Sequence, residues 1–185
     1  MSTRPVRAAP VRLVDTSVDG GFRRCSRLLR LPPALVSTHE AQDPDYEARV
    51  RSSFDRQQFM QTLGARLTRV APGEVDVELP VRDALVQQHG FVHAGALATV
   101  ADSACGYAAL SLMPAGAAVL SVEFKINLLA PAAGDRVVAR GRVIRAGKTV
   151  TVCWGEVTAY DDTTERLVAT MVATMMTVRD RGLRD

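Results

Sequence analysis

The sequence predicts an α+β domain in which antiparallel strands follow one another through short turns and helices lie apart from them. Three observations carry this. Ala94–Met113 is the most apolar stretch of the chain, nearly uncharged and rich in small residues, as a centrally buried helix requires. After Pro114 the hydrophobic period changes from 3.6 to 2: Leu120, Val122, Phe124, Ile126 and Leu128 fall on one face, and Ser121, Glu123, Lys125 and Asn127 on the other. Two more strand-like runs, Arg136–Arg145 and Thr149–Tyr160, are joined by the tight turn Ala146-Gly147-Lys148. Antiparallel strands with segregated helices define the class.

With 185 residues, the chain accommodates one domain of ordinary size and is short for two. Its formal net charge is +3, but residues 1–30 hold seven Arg against two Asp and so carry +5, which leaves −2 for the rest. Residues 1–48 therefore read as a basic, flexible extension. They end in a linker marked by Pro32-Pro33 and the polar, acidic stretch Glu40–Glu47, and the folded domain is expected over 49–180. Within it, Val50, Phe54, Phe59, Met60 and Leu63 approximate the spacing of a short amphipathic helix over Arg49–Leu63. Strands Ala65–Val70 and Val75–Leu79 follow, separated by Ala71-Pro72-Gly73-Glu74, then a polar loop, Val81–Val92. The turn Asp161–Thr164 leads into a last strand, Arg166–Val178.

Composition excludes several functions. The N-terminal arginines resemble the charge pattern of an organelle transit peptide, but no apolar core of a secretory signal accompanies them. Phe22 is the lone aromatic among the first 30 residues, too few for stacking on bases, so no nucleic-acid partner is expected. Cys25, Cys105 and Cys153 are odd in number and form no CxxC pair, which argues against a disulfide framework or a structural zinc site and for reduced thiols in a cytoplasmic protein. Asp102 in the middle of Ala94–Met113 would be costly in lipid, so this stretch is not expected to span a membrane.

In a buried helix Asp102 demands an explanation, because a desolvated carboxylate needs partners or a cavity. No Lys or Arg lies between Asp83 and Glu123. The neighbours at i±3 and i±4, Ala98, Thr99, Cys105 and Gly106, are all small and leave room for a slender ligand. An Asp that merely caps a neighbouring backbone turn is the structural alternative. The approach to the helix, Gln87-Gln88-His89-Gly90-Phe91-Val92-His93-Ala94-Gly95, is a polar loop ending at free N–H groups and the positive end of the helix dipole. Such a terminus stabilises a developing oxyanion. Asp102 lies nine residues beyond His93, about 13.5 Å along a helix at 1.5 Å per residue, too far for both to serve one carbonyl. Two subunits, each presenting its helix end to the Asp of the other, resolve this.

These residues resemble the hotdog-fold acyl-CoA thioesterases, in particular the PaaI-like (phenylacetate-pathway) branch. Gly90, His93, Gly95 and Asp102 match its spacing over a resemblance covering about 49–178, Gln87 stands where that branch has Asn, and Ala94 replaces a Gly. The resemblance implies a long central helix wrapped by an antiparallel sheet of about six strands. It also implies hydrolysis of acyl-CoA to free acid and CoA without metal or cofactor, and self-association as a homodimer or tetramer. Asp102 would be general base or nucleophile. The Ala94 or Gly95 N–H, aided by the Gln87 amide, would hold the thioester oxygen. His93 would shape the loop, and Ser121 would position water with Asp102. Gly90, Thr99 and Lys148 are candidate substrate contacts, and Lys148 with Arg140, Arg142 and Arg145 could meet the CoA phosphates or simply be solvated charges.

Three other readings remain. A Cys nucleophile lacks a nearby His on the helix. A hydratase lacks its Asp-to-His spacing, since Asp83 is followed five residues on by Gln88. A non-catalytic acyl-CoA-binding module is the runner-up, supported by the departures at Gln87 and Ala94.

Overall fold

The computed structural model describes residues 39–162, 164–179 and 182–183; the arginine-rich extension, Cys25 and Pro32-Pro33 lie outside these. Six strands form one antiparallel sheet: β1 (Arg66–Ala71), β2 (Glu74–Pro80), β3 (Ala118–Leu128), β4 (Arg136–Ala146), β5 (Val150–Tyr160) and β6 (Glu165–Val178), in the spatial order β1-β2-β4-β5-β6-β3. Helix α3 (Ala94–Leu110) lies on the inner face, where Val75, Val77, Leu79, Val137, Ala139, Met171 and Met175 are fully buried beneath it. The α+β reading and the hotdog arrangement therefore hold.

Two glycines set how closely α3 can lie. A Cβ at Gly141 of β4 would run into the Ala104 carbonyl, and one at Gly155 of β5 would come within 3.0 Å of the Cys105 sulfur. The helix backbone thus rests almost directly on the strands, and the small residues expected of a central helix are what permit it.

The expected helix over Arg49–Leu63 is two helices, α1 (Tyr46–Arg56) and α2 (Gln58–Leu63), interrupted at Gln57, whose ψ is 92°. Val50, Ser53 and Phe54 are buried from α1, and Met60 and Leu63 from α2. These positions are out of phase for a single 3.6-residue helix, and the extended residue corrects the phase.

The segment expected as linker is docked rather than free. Gln42 donates to the Leu112 carbonyl at 3.0 Å, and the His39 ring meets the Val143 carbonyl at 3.1 Å. Asp43 is buried with its carboxylate 3.2 Å from Arg49 Nε, an ion-pair contact not aligned as a hydrogen bond. The Arg49 guanidinium donates to the carbonyls of Leu110, Met113 and Pro114. It thereby satisfies the C-terminal end of α3, which stops at Leu110 rather than Met113. Arg49→Met should strand the Asp43 charge and those carbonyls, lowering stability by about 3–5 kcal/mol. Urea denaturation checks this; an unchanged midpoint would mean the pair is dispensable.

β3 departs from simple alternation. Ser121 pairs with Met175 and Glu123 with Thr174, so Val122 is an extra residue, a bulge. Upstream of it Ser121 shares the inner face with Met175; downstream Phe124 and Ile126 do, opposite Ala173 and Met171. The single face expected for Ser121, Glu123, Lys125 and Asn127 is therefore broken at Ser121, which turns inward, while Leu120 turns outward.

Candidate active site

Turning inward brings Ser121 to α3. Its hydroxyl donates to Asp102 Oδ1 at 2.8 Å and also lies 3.4 Å from the sulfur of Met175. Asp102 is half-buried and enters no ion pair among the described residues. Burial pushes its pKa above the ordinary carboxylate value, and the Ser121 hydrogen bond offsets part of that rise.

At the start of α3, His93 is the N-cap, and its Nδ1 accepts from the Gly95 N–H at 2.9 Å. Gly95 was one of two expected oxyanion donors, and its N–H is already engaged. Ala94, the first helical residue, keeps an N–H with no intrahelical acceptor. Because Nδ1 accepts, the proton of a neutral His93 ring sits on Nε2. The residue acts as a cap at this terminus. The Gln87 side-chain oxygen accepts from the His89 N–H at 2.6 Å, while its backbone pairs with Phe91 and Gly90, closing a turn in which Gly90 takes φ +83°. A side chain would be strained there. This loop and Leu128–Ala132 line a cleft of about 590 Å³ that also includes His93, Ala94 and Leu97.

Asp102 and Ser121 lie in a different depression, of about 130 Å³, with Gln57, Ser103, Gly106, Tyr107 and Val119. The two hollows have no lining residue in common. One chain thus keeps the helix terminus and the carboxylate in separate hollows.

Other expected contacts fall outside both. The Thr99 hydroxyl donates to the Gly95 carbonyl at 2.8 Å, and Lys148 is exposed in the β4–β5 turn. Arg140 is held by Thr158 and Tyr160, and Arg142 by Asp76, 2.7 Å away, and Glu74, so both belong to the outer sheet face. Arg145 and Lys148 enter no ion pair among the described residues. Burial pushes the Cys153 thiol up to about 12 and that of Cys105 well above its ordinary value, so neither is a thiolate nucleophile at neutral pH. Sequence reasoning missed Gln57. Its signal was a polar residue continuing the Val50, Ser53, Phe54 stripe.

Comparisons with known proteins bear on the family and the fold. Residues 89–165 match the model of the thioesterase superfamily. A thioesterase family protein of Silicibacter pomeroyi of solved structure is 52% identical, with TM-score 0.72, covering 73% of this chain and 99% of that one. The 1,4-dihydroxy-2-naphthoyl-CoA hydrolase of Listeria monocytogenes is 26% identical over 123 residues, 66% of this chain and 98% of its own. The Escherichia coli PaaI protein from the phenylacetic acid degradation operon shares the fold at 23% identity and TM-score 0.66, over 72% and 94% of the two chains. The chain belongs to the thioesterase superfamily and has the hotdog fold. No helix among the described residues is long and apolar enough to cross a membrane.

Proposed function

We propose that the protein hydrolyses acyl-CoA thioesters to free acid and CoA at a site shared by two copies of the chain. The observation that carries this is the Asp102–Ser121 pair, a carboxylate without a cation, bonded by a hydroxyl and open to a small hollow. In the reaction Asp102 of one subunit takes a proton from a water oriented with Ser121. The water oxygen bonds to the thioester carbon, and the carbonyl oxygen gains charge against the Ala94 N–H of the partner copy, with the Gln87 amide beside it. The C–S bond then breaks, its electron pair leaves on sulfur, and the proton passes from Asp102 to give the free thiol. His93 engages the Gly95 N–H and keeps the terminus in shape. No step calls for a metal or cofactor. The name of the Listeria relative, a CoA thioester hydrolase, supports the substrate class.

Assembly is supported by the sheet edge. β3 hydrogen-bonds to β6 on one side, and its 11 residues expose Leu120, Val122, Phe124 and Leu128, each between 44% and 56% exposed. A long apolar edge left open invites pairing with another strand, and a second β3 would bring the helix end of one copy toward the carboxylate of the other. His39, Gln42 and Asp43, docked on β4, the end of α3 and Arg49, are counted with the unit that pairs. Arg145 and Lys148, which enter no ion pair among the described residues, are offered to the CoA phosphates, and Gly90 shapes the Gln87–His93 loop. A cytoplasmic location suits this substrate.

The direct test is release of free thiol from short, medium, long and aryl acyl-CoAs. Turnover of at least one is expected. Binding of acyl-CoA without any thiol release would instead make the chain a binding module.

A further inference from the structure

Gly106 is buried in α3, yet a Cβ built there would meet no neighbouring atom within 4 Å. Gly141 and Gly155, pressed against α3, show the opposite. Open space therefore lies beside Gly106, one helical turn beyond Asp102, and Gly106 is among the residues that line the hollow of about 130 Å³. That volume equals about four waters at 30 Å³ each. Gln57, Ser103, Tyr107 and Ser121 make its wall polar.

The roof follows from the break between α1 and α2. The buried stripe of α1 runs Val50, Ser53, Phe54, with the Phe54 ring 5.6 Å from that of Tyr107. Gln57 is the next position on the stripe. The extended backbone there ends α1, and Gln57 is among the residues that line the hollow. A site built from amide and hydroxyl groups favours a ligand that can hydrogen-bond to them.

Resting on the acyl-CoA reading above, we infer that Gln57 and Gly106 set acyl specificity: the hollow receives the first few carbons of the acyl group and prefers one bearing a hydroxyl to an unsubstituted chain. Gln57 is a specificity-determining residue that meets the substituent, and Gly106 keeps the space open.

The test is kcat/KM for 3-hydroxybutyryl-CoA against butyryl-CoA, which differ by one hydroxyl. In the full chain the hydroxylated substrate is expected to lead by roughly 3- to 10-fold, as one neutral hydrogen bond allows. Gln57→Leu should bring the ratio close to one, Gln57→Asn should retain part of it, and Gly106→Val should raise KM for both. Gln57 is exposed, so its variants are expected to fold, and their melting curves verify it. Equal kcat/KM for the two substrates in the unmodified protein, or a preference that survives Gln57→Leu, overturns the inference while leaving hydrolysis intact. Absence of thiol release from every acyl-CoA overturns the hydrolysis reading, and this inference with it.

Discussion

Asp102→Asn is expected to lower kcat for thioester hydrolysis by about 10³-fold, in the middle of the range for loss of a general base. Asparagine keeps the shape of the side chain and can still accept from the Ser121 hydroxyl, so the loss isolates proton transfer from packing. The same substitution should leave the fold at least as stable at neutral pH. Burial raises the Asp102 pKa, so the folded state holds the proton more tightly than the unfolded chain does. Ionisation therefore costs stability: the penalty grows as pH rises from the unfolded carboxylate value through the raised folded one and is complete above it. Asparagine removes that penalty. In wild type the acid limb of kcat/KM should fall above the ordinary carboxylate range, and the variant should lose this limb. Rates equal to wild type in a folded variant would remove Asp102 from the mechanism and require another base.

Ala94→Pro should cost about 10²–10³-fold in kcat, the usual effect of deleting one oxyanion donor. Proline is well tolerated at the first helical position because that N–H lacks an intrahelical partner. The residue before it, His93, has φ −62° and ψ 136°, the extended conformation a following proline requires. The substitution thus removes one donor from a helix that still forms. Combined with Asp102→Asn it also tests the shared site. Each variant alone is nearly inactive, but dissociating and re-pairing the two should give mixed dimers with one intact half-site from each chain. In a two-fold dimer, random pairing restores about a quarter of wild-type activity. A mixture no more active than its parts would place both groups in one subunit.

The signals legible in the chain alone are local. The change of period after Pro114, the small-residue helix and the spacing from His93 to Asp102 are properties of neighbouring residues, and the helix and the strand form where they are expected, the helix ending at Leu110 and the strand's alternation reversing at Val122. A lone carboxylate on an uncharged helix also marked the site, because desolvation makes such a residue costly wherever the helix is buried. What depended on packing against distant residues was decided only by the tertiary structure. One bulged residue at Val122 reverses the side-chain alternation and delivers Ser121 to Asp102, and alternation in sequence carries no sign of a bulge. The phase of the first helix is broken at Gln57 because Phe54 and Met60 must both reach the core. His39, Gln42 and Asp43 look like linker residues, polar and close to prolines, until the end of α3 and Arg49 supply their partners. The Gly95 N–H is claimed by the His93 ring, so one of two equivalent-looking donors is left at the helix terminus. Local signals specify elements; which groups meet is set by contacts across the fold.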